Sequence, residues 1–168
     1  MKIKELSNVL NKITDKQVDA LTSYVKEADS IFLVGNGGSN AIASHMAVDY
    51  MKFLNKRCFV PNASDLVTMT VNDYGSAEMY SSFIEYYYTP NEKQLAILIS
   101  SSGNSVNILT AAERCNTLQI PMILLSGFNK TNPLNSSKFS NTVLKYWVSS
   151  KSYGVVELAH HSFLHAIV

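Results

Sequence analysis

The chain is short of charge, of cysteine and of long apolar runs. Of its 168 residues only 16% are charged, against about 25% in an ordinary soluble domain, so much of the surface is neutral polar or is covered in an oligomer. Lys and Arg number 14 and Asp and Glu 13, a formal charge of +1. That balance lacks the basic surplus of a nucleic-acid binder, and no nucleic-acid partner is expected. The two cysteines, Cys58 and Cys115, lie far apart and in no CxxC pattern. They form neither a disulfide framework nor a zinc knuckle and read as packed thiols. No apolar run approaches ~18 residues, which excludes a membrane span. The opening MKIKELSNVLNKITDKQVDAL has no apolar stretch of the signal-peptide kind. A cytoplasmic protein is the expectation. There is no linker rich in Pro, Gly or Ser and no repeat of 20–50 residues. Residues 1–168 therefore read as one domain, with a helical segment over 1–28 and an α/β core over 29–168. The apolar content of 46% is enough for a sizeable core.

What is present is an alternation of short apolar runs and helical periodicities. Residues 3–28 carry apolar side chains at three- and four-residue steps, with Thr14-Asp15 dividing the pattern and Asp15 available to cap a second helix. SIFLV at 30–34 reads as a buried strand running into Gly-Asn-Gly-Gly-Ser, and 40–53 as the helix that follows. Residues 58–61 are a second strand candidate. The run 66–71 is strand or helix by periodicity alone. A helix is predicted over 79–88, a strand over 94–100, and a helix over 106–117 capped by Asn104 or Ser105. Strands at 120–125 and 142–148 and a helix from 154 complete the chain. The alternation predicts a parallel sheet with helices on both faces. Trp147 and Tyr86-Tyr87-Tyr88 read as core or interface.

Two polar loops follow predicted strands: VGNGGSN at 34–40 and ISSSGNS at 99–105. In open parallel sheets ligands bind at the carboxyl ends of strands, beside helix N-termini. Gly35, Gly37 and Gly38 permit positive φ and close approach of a ligand to the backbone. Ser100, Ser101, Ser102 and Ser105 add hydroxyl donors, and the two loops together suit a phosphate held without Lys or Arg. Neither loop is GxGxxG or contains GK[ST], which argues against dinucleotide and Walker-type nucleotide sites.

Histidine is concentrated at the end of the chain: His160, His161 and His165 are three of its four. The fourth, His45, stands four residues before Asp49, on one helix face with it. Glu157, His161 and His165 also step by four, and periodicity leaves open whether His160 or His161 turns inward. A His–Asp pair facing a Glu–His pair would suit a zinc-like ion, or general acid–base chemistry without metal.

The order GNGGS, His six residues on, a carboxylate four beyond, Asn-Asp, S-x-S-G-N-S and a late helix with spaced histidines resembles the SIS (sugar isomerase) domain family. Within it the chain is similar to the phosphoheptose isomerases. The resemblance implies a flavodoxin-like three-layer sandwich with a five-stranded parallel sheet. It also implies a homotetramer with active sites between subunits, a sugar-phosphate substrate and, in some members, zinc. The implied reaction interconverts sedoheptulose 7-phosphate and D-glycero-D-manno-heptose 7-phosphate, for the heptoses of lipopolysaccharide or capsule. Carried over by position, Asn36, Gly37, Gly38, Ser39, Asn72, Asp73, Ser100, Ser101, Ser102 and Ser105 line the substrate. Asp49 and His165 are catalytic. His45, Asp49, Glu157 and His165 hold the metal, and Asp49 and Glu157 also touch substrate. Asp49 stands where the family has Glu, and Glu157 where it has Gln. The alternatives are an isomerase of another phosphosugar and a non-catalytic SIS protein that binds one as a regulator.

Overall fold

The computed structural model describes residues 3–168. The apolar runs become five strands, β1 Ser30–Gly35, β2 Arg57–Phe59, β3 Gln94–Ser100, β4 Met122–Ser126 and β5 Thr142–Trp147. All pair in parallel in the order β2-β1-β3-β4-β5. Every residue of β1, β3 and β4 is buried, as strands covered on both faces must be. Among the described residues the α-helices are α1 Ile3–Leu10, α2 Asp15–Glu27, α3 Gly38–Leu54, α4 Ser64–Tyr74, α5 Met79–Tyr86, α6 Val106–Thr117 and α7 Tyr153–His165.

Alternation along the strands separates two cores. Ile31, Leu33, Ile97, Ile99, Ile123 and Leu125 face α1, α2, α3 and α7, where they meet Leu21, Met46, Tyr50 and Phe163. Phe32, Val34, Ala96, Leu98, Met122 and Leu124 face α5 and α6, where they meet Phe83, Ile84, Ile108 and Cys115. The result is the expected three-layer α/β sandwich with a five-stranded parallel sheet. Both cysteines are free, and burial pushes each thiol up to about 12, so both are unreactive. Among the described residues, no helix is long and apolar enough to cross a membrane.

The structure corrects several local expectations. Thr14, not Asp15, is the N-cap of α2: its hydroxyl accepts from the Gln17 amide and the Gln17 side chain closes a capping box. The ambiguous run at 66–71 is helical, inside α4. Strand β4 begins at Met122 rather than at 120, and β2 is Arg57–Phe59. Ser105 occupies the N-cap of α6 without a side-chain capping bond, because its hydroxyl accepts from that of Ser100 instead.

The turn between β3 and α6 depends on Gly103, at φ +68°. A Cβ there would stand 1.9 Å from Oδ1 of Asn132. Asn132 is 2% exposed and is held in place: its Nδ2 donates to Ser126 Oγ and to the Gly127 and Asn129 carbonyls, and its Oδ1 accepts from the Asn135 amide. Gly103→Ala is expected to cost on the order of 3 kcal/mol, from left-handed backbone strain plus displaced buried hydrogen bonds, measurable by urea unfolding.

Candidate active site

The crevice between β1 and β3 is the switch point of this strand order, since the chain leaves β1 towards β2 on one side and β3 lies on the other. Both polar loops open there. Strand β1 ends at buried Gly35, Gly37 takes a positive φ of 53° as the N-cap of α3, and α3 starts at Gly38 with no side-chain cap. The amides that follow, of Ser39, Asn40 and Ala41, donate to the Asn36 and Gly37 carbonyls. The Glu157 carboxylate of α7 packs against Gly38: a Cβ there would come within 2.6 Å of its Oε1. The missing side chain at Gly38 is what admits the carboxylate to the positive end of α3.

Across the crevice, Ser100 Oγ donates to Ser105 Oγ at 3.1 Å and accepts from the Gly103 amide at 3.1 Å. Ser102 Oγ accepts from the Asn104 amide. Ser101 Oγ is buried and has no partner. A buried hydroxyl without a partner is uncommon and costly, and a bound group would complete it. Asn36, Ser39, Ser100, Ser101, Ser102, Ser105, Tyr153 and Glu157 with Ile99 enclose about 160 Å³, less than the ~300 Å³ at the lower end of ordinary ligand sites. No Lys or Arg lines it. A larger hollow of about 410 Å³ lies at the opposite end of the strands, beside Ala28 and Gln94, away from both loops.

One turn along α7 from Glu157 is a second cluster. Tyr50 of α3 donates to the Leu164 carbonyl at 2.9 Å, which fixes the last turn of α7 against α3. His45 Nε2 then lies 3.0 Å from His165 Nε2, and Asp49 Oδ2 lies 3.2 Å from the first and 3.6 Å from the second. The His161 ring meets that of His45 edge-on, with centroids 4.8 Å apart. One ring nitrogen from each of His45, His161 and His165 falls within 4.8 Å of the others. His161 Nε2 is buried and has no partner. Burial, with His165 and His45 beside it, pushes the His161 pKa down against the opposing pull of Asp49, so its lone pair is available to a metal. Three imidazoles and a carboxylate are a donor set that zinc accepts, and the orphaned His161 nitrogen is a buried donor atom that a metal would satisfy. The residues present fit a metal.

His160 points the other way. It is fully buried, and Nε2 donates to the Ser126 carbonyl at 3.0 Å. Burial pushes its pKa down to about 4, partly opposed by that carbonyl. The signal for this was in the sequence: the helical neighbours of position 160 include Val156, Phe163 and Leu164, whereas those of 161 include Glu157 and His165. The unfolded chain protonates His160 from about pH 6.5 downward, and the folded state resists to about 4. Its contribution to stability is therefore full above ~6.5 and is lost as pH falls through that window. Melts between pH 7 and pH 4 are expected to fall more steeply for the wild type than for His160→Gln.

The structure brings His45, Asp49 and His165 together, and places Asn36, Gly38, Ser39, the four serines and Glu157 around the crevice. It sets Glu157 against Gly38, while His161 is the third member of the nitrogen cluster. Asn72 and Asp73 are not part of either group: they lie on the exposed last turn of α4, where Asn72 Nδ2 donates to Asp73 Oδ1 at 2.8 Å.

The SIS domain family model matches residues 2–127, three quarters of the chain. This chain belongs to the SIS domain family. Among curated proteins, this SIS chain is 31% identical over 121 residues to the phosphoheptose isomerase of Fusobacterium nucleatum, covering 69% of this chain and 61% of that one. It is 32% identical over 132 residues to phosphoheptose isomerase 1 of Campylobacter jejuni, covering 75% and 70%. The chain thus spans somewhat under two thirds of the Fusobacterium relative. Among solved structures, a phosphoheptose isomerase from Francisella tularensis superposes with a TM-score of 0.84 over 96% of this chain and 88% of that one, at 18% identity, a likeness of fold.

Proposed function

We propose that this SIS chain is an aldose–ketose isomerase of a sugar phosphate, and that the substrate pair is sedoheptulose 7-phosphate and D-glycero-D-manno-heptose 7-phosphate. The observation that carries the reading is a cation-free hydroxyl cradle and a carboxylate–histidine cluster that both face α7, the first through Glu157 and the second through His161 and His165. The similarity to phosphoheptose isomerases supports the choice of sugar.

The phosphate is held by Ser100, Ser101, Ser102 and Ser105 and by the amides opening α6, where the orphaned Ser101 hydroxyl gains its partner. Binding energy spent there fixes the open-chain sugar with its reacting carbons towards α3. Asp49 takes the C1 proton of the ketose, electrons move into a C1–C2 double bond, and the C2 oxygen takes up a proton. Return of the carbon proton at C2, with loss of the O1 proton, gives the aldose. His165, beside Asp49, carries protons between O1 and O2. Glu157 and Asn36 bind the sugar hydroxyls. Zn²⁺ is the cofactor we assign to His45, Asp49, His161 and His165; when bound it would polarise the carbonyl and stabilise charge on oxygen. Metal and proton transfer compete for Asp49 and His165, and the third imidazole of His161 relieves that competition.

The small enclosed volume supports a site completed by another copy of the chain. Val48 and Met51, beside His45 on α3, are 56% and 46% exposed, and an apolar face of that kind suits the homotetramer we assign. The test is incubation with sedoheptulose 7-phosphate, with and without Zn²⁺, followed by product identification and measurement of solution mass. Formation of the aldose 7-phosphate is the expected result. Tight sugar-phosphate binding without turnover would overturn the enzyme and assign a regulator. Turnover of a five- or six-carbon phosphate in preference would overturn the heptose.

A further inference from the structure

We infer that Tyr153 is a substrate-binding residue whose ring reads the carbon chain of the sugar where it leaves the phosphate cradle, and that Phe128 is a positioning residue that holds this ring. This rests on the sugar-phosphate reading of the crevice and deepens it with a specificity element at the mouth. The crevice encloses about 160 Å³. That suits a phosphate group and is about half of the ~300 Å³ at which sites for whole ligands begin. The carbon chain therefore passes the rim. Tyr153, the first residue of α7, lines the crevice with Ser100, Ser101 and Glu157 and is 59% exposed. Among the described residues it is the one aromatic in that lining.

The ring is supported from behind. Phe128 meets it with centroids 4.8 Å apart and planes at 72°. Rings so disposed touch edge to face, which leaves at least one face of Tyr153 open. Phe128 itself takes φ +56°, in the left-handed region that a bulky side chain rarely adopts. Its neighbours fix it there. Gly127 is wedged between α7 and the hydroxyl loop: a Cβ on it would stand 2.8 Å from Val156 Cγ1 and 3.0 Å from the Ser101 carbonyl oxygen. The Phe128 amide donates to the Ser150 carbonyl at 3.0 Å. Ser150 is 7% exposed; its hydroxyl donates to Glu5 Oε1 at 2.6 Å and accepts at 3.1 Å from the amide of Ser152, the N-cap of α7. One residue, Ser150, thus ties the turn that carries Phe128 to the helix start that carries Tyr153. Backbone strain held in place by its surroundings in this way concentrates at ligand clamps. The open face of the ring is electron-rich, so it favours the C–H groups of a sugar and disfavours phosphate oxygens. The serines take the phosphate, and the ring takes the carbons next to it.

The test is Tyr153→Ala beside Tyr153→Phe. Covering ~50 Å² of apolar surface is worth roughly tenfold in affinity, so Tyr153→Ala is expected to raise KM for sedoheptulose 7-phosphate about tenfold. Its kcat should stay within about threefold, because a contact remote from the reacting carbons is made in ground and transition states alike. Tyr153→Phe keeps the ring and should stay within about twofold of the wild type in both constants. Inhibition by inorganic phosphate, which has no carbon for the ring to cover, should not move in either variant. Phe128→Gly accepts a positive φ without strain and removes the support. It should raise KM about threefold with kcat unchanged, since a ring left mobile has to be ordered on binding. An unchanged KM in Tyr153→Ala, a Tyr153→Phe as weak as Tyr153→Ala, or an equal loss of inorganic phosphate affinity would overturn the inference. An unchanged KM in Phe128→Gly would overturn the role of Phe128. If the wild type does not turn over sugar phosphate, the isomerase reading fails by itself. Calorimetry then decides the inference: Tyr153→Ala should weaken sugar-phosphate binding about tenfold and leave inorganic phosphate unchanged, and equal effects on both would overturn it. A wild type that binds neither ligand overturns both.

Discussion

Replacing Asp49 by Asn is expected to lower kcat on the sugar phosphate by about 10³-fold while leaving the fold intact, within the ~10²–10⁴ range that a positioned general base supplies. The carboxylate is only 15% exposed, and Oδ2 stands 3.2 Å from His45 Nε2 and 3.6 Å from His165 Nε2. Asn matches its shape, so α3 and the packing of Tyr50 on α7 remain. What disappears is the carboxylate assigned as the base, together with the negative charge that favours a cation between the two rings. Thermal melting should shift little, because an ion pair with a half-exposed histidine at i, i+4 is worth about 0.3–0.5 kcal/mol. Steady-state kinetics on the purified variant check the expectation; kcat within tenfold of the wild type would remove Asp49 from the role of base. Asp49→Glu probes the arm rather than the charge. With the backbone of α3 fixed, the extra methylene moves the oxygens by more than an ångström, and a displacement of that size can cost ~10²-fold. In this chain Asp, not Glu, reaches both imidazoles, so the longer residue is expected to be slower here.

The fold was legible because its strands are unbroken apolar runs between polar loops, and β1, β3 and β4 are buried on both faces. Short amphipathic runs were harder. Residues 66–71 alternate weakly and bury only Thr70 once folded in α4, so neither period dominates. The division of labour among the histidines was written in the neighbours of each position along α7, but it needed the facing helix to have meaning. His161 matters because α3 brings His45 to its ring, and nothing local in the sequence reports that approach. The same holds for Tyr80 and Asn107. Tyr80 on α5 and Asn107 on α6 look like ordinary helix residues until folding brings both to the side chain of Asn36. Glu157 sits against Gly38 through a contact between residues more than a hundred positions apart.

The second large effect concerns the metal. The zinc-replete wild type is expected to retain about one Zn²⁺ per chain after desalting, and His45→Ala to retain almost none. His45 is the hub of the cluster: its Nε2 is the atom nearest both Asp49 and His165, and its ring packs edge-on with that of His161. Its removal takes one imidazole and leaves the others facing an open gap. His161→Ala tests the third imidazole. Apparent zinc affinities of ~10–16 kcal/mol for four-ligand sites correspond to about 3 kcal/mol per donor, so the loss should be on the order of 10²-fold in affinity, read by competition with a chromophoric chelator. His160→Gln is the control within the same helix turn, since its Nε2 is committed to the Ser126 carbonyl and does not face the cluster. Zinc should also raise the melting temperature of the wild type and not that of His45→Ala, because a ligand that binds only the folded state stabilises it. Elemental analysis that finds no zinc in the replete wild type would overturn the metal assignment and leave Asp49 and His165 as an acid–base pair without it. Equal zinc affinity in His161→Ala and the wild type would keep the metal and remove its third histidine.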